Sequence, residues 1–313
     1  MNYLTKLESG QPYVVKLNVF LKSILKKMKI PDWDYIFNQL NCSGTPVPIC
    51  QNNGIASSTW KLRSNNMDLF IKTCSVNFNE IFSAEVDGLL EISKTDSVRV
   101  PEVIGFGKTD SENYLALEWI DIKSPNKIIE ASFGEQLAEL HRTTSKNFGW
   151  FRDNTIGLTP QINNSSKDWV NFFRENRLQY QLKLAYDNGF SGKLQQLGAI
   201  LIEQLPLYFD SSKIEPSLLH GDLWAGNWGS YMESPIVFDP AVYFGDRETD
   251  LAMTMLFGGF GKNFYEAYES CWPLRQGHQK RLKIYQLYHV LNHLNLFGPT
   301  YLKPAINLLN KIL

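Results

Sequence analysis

Two short polar motifs, separated by about ten residues, constrain this chain more than any other part of its sequence. The first is H-G-D-L-W-A-G-N at 220–227, which places Asn227 five residues after Asp222. The second is I-V-F-D-P at 236–240, in which Asp239 closes an apolar run. A short apolar run that ends at a polar residue is typical of a buried strand. We therefore expect Asp239 at a strand end, facing a cleft that it shares with the first motif.

This Asp/Asn/Asp set has the layout of a phosphoryl-transfer site of the protein-kinase type. Asp222 is the candidate catalytic base, because a carboxylate can accept the proton of an attacking hydroxyl group. Asn227 has the offset found in the catalytic-loop motif H-R-D-L-x-x-x-N, and its amide oxygen is a suitable ligand for Mg²⁺. Asp239 is the second candidate metal ligand. The pattern therefore predicts ATP and Mg²⁺ as cofactors.

The first half of the chain offers candidate groups for the nucleotide. Lys72 ends the apolar run L-F-I, in the position of the lysine of the kinase motif V-A-I-K. Glu85 lies thirteen residues later, in a segment whose apolar residues recur with helical spacing, and it could pair with Lys72. Upstream, the small polar stretch N-N-G-I-A-S-S could fold over phosphates, with Gly54, Ser57 and Ser58 as contacts. A lone lysine–glutamate pair usually marks a solvated ion pair, but the order of all these motifs favours the kinase-type site.

The chain changes character near its middle. Up to about residue 120 it is rich in strand patterns, with one clear helix around Glu85, and beyond that point helical patterns dominate. This division predicts an α+β fold with two lobes, a small β-rich N-lobe and a larger, mainly helical C-lobe, with the site in the cleft between them. We expect an unassigned N-terminal appendage at 1–33, a nucleotide-binding N-lobe at 34–120, and a catalytic and substrate-binding C-lobe at 121–313.

Periodicity places the further elements. Strands are expected within 46–73, at 100–107 and at 114–119, and a loop is expected from 142 to 166. Helices are expected at 34–40, 133–141, 169–188, 194–209, 250–257, 263–271, 279–297 and 301–313.

Composition excludes several classes of function. The chain has 313 residues and a formal net charge of -1, which does not favour nucleic acid or an anionic membrane as a partner. Its four cysteines form no C-x-x-C pair, which favours reduced thiols and a cytoplasmic protein. No apolar run reaches the ~18 residues of a membrane-spanning helix. The stretch 14–25 is amphipathic and lysine-flanked, and a helix packed on the domain or a mobile appendage is favoured there over a membrane-surface helix.

Two positions depart from the protein-kinase pattern. Gly221 replaces the arginine that can hold a phosphorylated activation loop in protein kinases. Pro240 follows Asp239 where D-F-G would stand, and it fixes φ and removes an amide donor. Both departures argue against a mobile activation segment, so the acceptor is expected to be a small molecule rather than a protein chain.

Longer stretches of the sequence resemble one known family. The most specific is F-D-P-A-V-Y-F-G-D-R-E-T-D-L-A-M-T-M-L-F-G-G at 238–259. The other matching stretches are 136–144, 148–150, 153–161, 169–177, 219–229 and 285–295. Over roughly 34–313 the chain resembles the fructosamine kinases (ketosamine 3-kinases), close to their bacterial members. This family belongs to the aminoglycoside-phosphotransferase-like branch of the protein-kinase-like fold.

The resemblance implies ATP-dependent phosphorylation of the 3-hydroxyl of a ketosamine, of fructosamine or ribulosamine type, as a step in the deglycation of amines and proteins. It assigns the roles already given to Asp222, Asn227, Asp239 and Lys72. It places Glu118, Trp119 and Ile120 at the hinge that binds adenine through backbone groups. It places Trp224 and His293 beside the sugar-amine, and it makes Asp250 a brace for the catalytic loop.

Several histidines and one cysteine have simpler interpretations. His141 is expected to be a buried, hydrogen-bonded residue, and His220 to orient the catalytic loop. His289 and His293 stand four residues apart on one helix, but without a third ligand at zinc spacing a structural or substrate contact is favoured. Cys50 lies near, but not at, the position of a redox-sensitive cysteine in some family members, so that regulation is not transferred.

Two other functions remain open from the sequence. One is a choline- or aminoglycoside-type kinase on the same fold. The other is a catalytically silent nucleotide-binding module. The sequence does not indicate the oligomeric state or which sugar and amine are preferred.

Overall fold

The N-terminal part of the chain is built on one antiparallel sheet. The computed structural model describes residues 31–50, 57–64, 67–78, 80–210 and 214–313, without the side chain of Cys50. Residues 1–30 and Gly54 therefore lie outside the described residues. The sheet has the strand order β1-β2-β3-β5-β4. Its strands are β1 (Gly44–Cys50), β2 (Ser57–Ser64), β3 (Leu69–Ser75), β4 (Val103–Lys108) and β5 (Glu112–Glu118).

One helix packs on each face of this sheet. Helix α1 (Trp33–Gln39) begins where the side chain of Asp32 accepts a hydrogen bond from Tyr35 N–H, and Trp33 meets Trp60 edge-to-face. Helix α2 (Ile81–Ser93) covers the opposite face. Successive side chains along a strand alternate between the two faces, so β3, β4 and β5 contribute to the hydrophobic clusters on both faces. Lys72 shares its face with the residues that pack on α2, so β3 directs this lysine toward that helix.

The C-terminal part is mainly helical, as the sequence predicts. Its helices are α3 (Lys127–Arg142), α4 (Trp169–Phe173), α5 (Tyr180–Asp187), α6 (Lys193–Gln204), α7 (Glu248–Thr254), α8 (Lys262–Cys271), α9 (His278–Phe297) and α10 (Leu302–Ile312). A large hydrophobic core joins them, and α3 and α9 contribute many of its fully buried side chains. The N-lobe and C-lobe boundary at residue 120 stays a prediction.

Several predicted bounds differ from the structure. Helix α3 begins six residues before its predicted start, because Asn126 caps it by accepting hydrogen bonds from two backbone N–H groups. The helix predicted at 169–188 contains a π-helical segment, Arg174–Gln179, between α4 and α5. The loop predicted from 142 to 166 contains a hairpin of β6 (Asn154–Ile156) and β7 (Thr159–Gln161).

Two further strand pairs present the catalytic motifs. β9 (Trp228–Tyr231) pairs with β10 (Ser234–Val237), and β8 (Ser217–Leu219) pairs with β11 (Tyr243–Gly245). The chain passes from Asp239 to α7 in eight residues, so it has no room for a long activation segment. Within the part of the chain that the structure describes, no helix is long and apolar enough to cross a bilayer.

Candidate active site

A cleft of about 280 Å³ brings the two sequence motifs together with residues of the N-lobe. Lys72 and Glu85 come from β3 and α2, and Asp222, Asn227 and Asp239 come from the loops around β9 and β10. The cleft therefore unites the five residues on which the sequence prediction of a phosphoryl-transfer site depends. Their chemical roles remain assignments from type and position.

Lys72 links the two halves of this cleft. Its Nζ lies 2.7 Å from Glu85 Oε1 and 2.6 Å from Asp239 Oδ1. Burial alone would lower the pKa of Lys72, but the two carboxylates outweigh burial and raise it. Burial raises the pKa of Glu85, which Lys72 partly offsets. The lysine is thus held charged at the place where a nucleotide phosphate would need a cation.

The catalytic loop is fixed by a buried carboxylate. Asp250 accepts hydrogen bonds from the backbone N–H groups of His220, at 2.7 Å, and of Gly221, at 2.9 Å. His141 Nε2 lies 3.2 Å from the same carboxylate, and its other ring nitrogen contacts Tyr268. Burial alone would raise the pKa of Asp250, but these hydrogen bonds lower it. The geometry agrees with a brace role for Asp250 and with a buried, hydrogen-bonded His141.

His220 orients the loop from within. Its Nε2 donates to Phe238 O at 3.0 Å, and its Nδ1 accepts the N–H of Asp222 at 3.3 Å. Burial lowers the pKa of His220, which favours the neutral ring that these two contacts require. Gly221 adopts φ +83°, and a Cβ there would lie 2.0 Å from Ala241 O. An arginine like that of H-R-D therefore does not fit this backbone.

Asp222 and Asn227 are tied to each other. Asn227 Nδ2 donates to the backbone carbonyl of Asp222 at 2.9 Å and approaches its carboxylate at 3.4 Å. Burial is the main cause that raises the pKa of Asp222 to about 7, and the nearby carboxylates of Asp239 and Asp250 add to it. A carboxyl group with a pKa near neutrality is suited to accept a proton at physiological pH.

The residues present fit a magnesium ion held together with nucleotide phosphates. Because the amide nitrogen of Asn227 donates to Asp222, its oxygen is left to act as a ligand. Asp239 adopts φ +57° and exposes 46% of its side chain to the cleft, with only one carboxylate oxygen assigned to Lys72. Mg²⁺ is commonly bound by one or two protein oxygen ligands plus substrate phosphates, so these two groups suffice chemically.

The predicted hinge borders a second cavity of about 260 Å³. Glu118, Trp119 and Ile120 line it together with apolar side chains such as Phe70. The carboxylate of Glu118 is turned away to Arg99, whose Nη2 lies 2.9 Å from both of its oxygens. The N–H groups of Glu118 and Trp119 donate to carbonyls elsewhere in the N-lobe. Any contact of Glu118 with a nucleotide would therefore be through its carbonyl group.

The remaining predicted contacts fall into different places. Ser57 lines the main cleft, whereas Ser58 is buried. Trp224 lines the cleft and is 38% exposed. His293 stacks on Phe257 with ring centroids 4.4 Å apart, and its Nδ1 contacts the carbonyl of His289 at 2.9 Å. In the part of the chain that the structure describes, residues 296 and 297 of helix α9 line the cleft, whereas His293 of the same helix does not.

Sequence reasoning missed one wall of the cleft. The β6–β7 hairpin supplies this wall through Asn154, Thr155, Gly157 and Leu158. Their stretch, D-N-T-I-G-L-T-P-Q, matched the family but received no role. A three-residue strand carries too little periodicity to be detected, so only the family match could have indicated it.

A lysine–glutamate pair and an Asp/Asn/Asp set, lying between a β-rich lobe and a helical lobe, define the class of protein-kinase-like phosphotransferases. An ADP-bound aminoglycoside phosphotransferase has this fold, with a TM-score of 0.61 at 14% identity, over 88% of this chain and 95% of its own. The sequence profile described as "Fructosamine kinase" matches residues 49–313. The chain therefore belongs to the fructosamine kinase family.

Two relatives are similar over nearly their whole lengths. The protein-ribulosamine 3-kinase of Arabidopsis thaliana, described as chloroplastic, is 41% identical, covering 97% of this chain and 95% of the relative. The crystal structure of a putative fructosamine-3-kinase from Haemophilus somnus superimposes with a TM-score of 0.80 at 29% identity, over 95% of this chain and 100% of that one. Both agree with the family predicted from the sequence.

Proposed function

We propose that this protein transfers the γ-phosphoryl group of ATP to the 3-hydroxyl of a ketosamine. The observation that carries the proposal is the meeting of Lys72, Glu85, Asp222, Asn227 and Asp239 in one cleft of a fructosamine kinase family member. The names of its relatives support a ketosamine as the acceptor, of ribulosamine or fructosamine type. In this family such a reaction serves the deglycation of amines and proteins.

ATP would occupy both cavities. The apolar cavity at the hinge suits adenine, and we assign its edge to the carbonyl of Glu118 and the N–H of Ile120. Lys72 would bind phosphate, held in place by Glu85. Asn227 and Asp239 would hold Mg²⁺, which supplies neutralisation of the phosphate charge. Ser57 lines the cleft and is a further candidate for phosphate contact.

Asp222 would act as the base. Its carboxylate takes the proton of the acceptor hydroxyl as the oxygen attacks the γ-phosphorus in line with the leaving group. The brace by Asp250 fixes the backbone on which Asp222 stands, so the carboxylate needs little rearrangement before reaction.

The acceptor end of the cleft favours a ketosamine over an aminoglycoside. Its described lining is neutral and partly apolar, with Trp224, Leu158, Leu296 and Phe297. Apart from Asp222, the proposed base, the charged groups of the described lining are those assigned to the nucleotide and Mg²⁺, namely Lys72, Glu85 and Asp239. A polycationic aminoglycoside would be recognised by several carboxylates, which this wall does not present. Trp224 can stack on the sugar-amine. The ring of His293 packs against Phe257 and against Phe297 of this wall, and we assign His293 to the same end.

The experiment is ATP consumption by the purified protein across ribulosamine, fructosamine and shorter ketosamine adducts of lysine, with choline and kanamycin in the same panel. We expect Mg²⁺-dependent turnover of ketosamines only, and a loss of about 10³-fold or more in kcat for Asp222→Asn. The matched control is Asp187→Asn, the same chemical change at an exposed aspartate that pairs with Lys183.

Each outcome separates the candidate functions. Turnover of choline or kanamycin without ketosamine turnover would select the alternative kinase. MgATP binding without turnover of any acceptor would select a silent nucleotide-binding module. Near-normal activity of Asp222→Asn would remove Asp222 as the base.

We propose a cytoplasmic location, supported by the unpaired thiols of Cys42, Cys74 and Cys271.

A further inference from the structure

One arginine of the C-lobe holds the helix that carries Glu85. Arg152 lies in the loop between α3 and β6, and its Nη1 donates to Asp87 Oδ2 at 2.6 Å. Its Nη2 donates to Glu80 Oε2 at 2.8 Å and to Ser83 Oγ at 3.1 Å. The guanidinium group thus binds the side chains of Glu80, which immediately precedes α2, and of Ser83 and Asp87 within it.

These three acceptors form one face of α2. Residues 80, 83 and 87 follow the spacing i, i+3 and i+7, which places them in a row along a helix. Glu85 lies on the same two turns but points toward Lys72, 2.7 Å away. A second contact supports the helix from the C-lobe, because a Cβ at Gly88 would lie 3.2 Å from Val242 and 3.4 Å from Pro240. A shift of α2 would therefore disturb the lysine–glutamate pair directly.

The loop that presents Arg152 is itself fixed. Gly149 adopts φ +99°, and a Cβ there would lie 2.5 Å from Asn163 O, so the backbone requires glycine at this turn. Asn163 Nδ2 donates to the carbonyl of Arg152, and the carboxylate of Asp153 accepts the N–H of Asn163. The arginine side chain is only 21% exposed, because it is enclosed between this loop and the helix.

An ordinary exposed ion pair contributes little, since both side chains lose freedom and water screens the charges. The contacts of Arg152 differ in two respects. The guanidinium fork engages two carboxylates at once, and it joins a loop of the C-lobe to a helix of the N-lobe. In protein kinases a phosphorylated activation loop takes part in placing the equivalent helix. The segment after Asp239 is too short here for that task.

We propose that Arg152 is a positioning residue, which holds α2 against the C-lobe so that Glu85 keeps Lys72 in place for MgATP without any activation segment. This inference rests on the proposed function only where a ketosamine acceptor is used. The contribution of Arg152 to MgATP binding acts through Lys72, and it can be measured without any acceptor.

The test is a double-mutant cycle between Arg152→Met and Glu85→Gln, measured as the Kd for MgATP by calorimetry and as kcat and KM with the best ketosamine. Arg152→Met alone is expected to weaken MgATP binding about threefold to tenfold and to lower kcat about tenfold, with the ketosamine KM within about twofold. In the Glu85→Gln background, Arg152→Met should change neither the Kd for MgATP nor kcat by more than about twofold. The Lys72–Glu85 pair through which Arg152 acts is already broken there.

A purely structural arginine would give a different pattern. Equal losses in both backgrounds, or no loss in the native background, would overturn the proposal. Arg174→Met is the matched control, since Arg174 is a C-lobe arginine whose side chain donates to Asn171, three residues earlier in the chain. If Arg152→Met does not fold, Asp87→Ala removes an acceptor of the same fork and enters the same cycle.

The two proposals fail separately. A wild-type protein that binds MgATP but phosphorylates no ketosamine would refute the acceptor, and the cycle in Kd would still decide the role of Arg152. A wild-type protein with full ketosamine activity and an additive cycle would refute the role of Arg152 alone.

Discussion

The loop that carries Asp222 and helix α2, which carries Glu85, each place a carboxylate in the cleft, but they are held by opposite means. The loop is braced from inside by Asp250, which is 1% exposed and bonds two backbone N–H groups. Helix α2 is held from outside by Arg152, whose partners Glu80 and Asp87 are partly exposed. One brace is sealed in the core, and the other lies at the surface between two lobes.

This difference indicates which part of the site can move. A buried carboxylate that satisfies backbone donors has no substitute in water, so its loss damages the fold as well as the site. A clamp at the surface can be exchanged for water at low free-energy cost, so its loss should change nucleotide binding more than stability. The two regions can therefore be separated by substitutions that report stability and activity independently.

The largest effect is expected for Asp250→Ala. The substitution leaves the N–H groups of His220 and Gly221 and the ring of His141 without their carboxylate. We expect a loss of about 3 kcal/mol or more in the free energy of unfolding, measured by urea denaturation, together with loss of turnover. Asp187→Ala serves as the exposed control. Native stability of Asp250→Ala would contradict the comparison.

The next effect concerns the backbone of the loop. Gly221→Ala introduces a Cβ 2.0 Å from Ala241 O at φ +83°. Gly189 has a similar φ of +91° but nothing within 4 Å of its Cβ position, so Gly189→Ala adds backbone strain without a clash. We expect about 1 kcal/mol for Gly189→Ala and at least about 2 kcal/mol for Gly221→Ala. Equal losses of stability for the two variants in thermal unfolding would show that the loop backbone shifts to accommodate the Cβ at position 221.

The sequence predicted the chemical centre better than the means by which it is held. Asp222, Asn227 and Asp239 could be found because phosphoryl transfer requires those residue types at fixed spacing. Lys72 and Glu85 followed from a strand ending and a helical period. The family, the fold class and the position of α2 are confirmed, since each depends on long patterns or on several motifs in order.

The contacts of Arg152 left no comparable signal. Its acceptors lie about seventy residues away in the chain, and a charged residue in a loop is usually solvated. The π-helical segment and the β6–β7 hairpin were missed for a related reason, because tertiary packing sets them and their local periodicity is weak. Trp224 lines the cleft, whereas the stacking of His293 on Phe257 could not be derived from helical spacing.

A smaller effect, with a sign set by pH, is expected for Asp222→Asn. Because the pKa of Asp222 is raised from 3.8 to about 7, the folded protein holds its proton more tightly than the unfolded chain. Stability therefore falls as pH rises from about 4 to about 7, and the penalty is complete above that range. The asparagine variant should be more stable than wild type at pH 8, and by a smaller margin at pH 5. A gain independent of pH in nucleotide-free thermal scans would contradict the assignment.

The smallest effect distinguishes the two braces by salt. At ~0.1 M ionic strength charges are screened over about 10 Å, and only groups near water are affected strongly. The difference in unfolding free energy between wild type and Arg152→Met should therefore shrink by about 0.5 kcal/mol between low and high salt. The difference between wild type and Asp250→Ala should stay constant, because Asp250 acts through buried hydrogen bonds. If both differences respond equally to salt in urea denaturation, the clamp on α2 is no more exposed in solution than the brace of the loop. The lobes would then be joined more rigidly than the partly exposed contacts of Arg152 indicate.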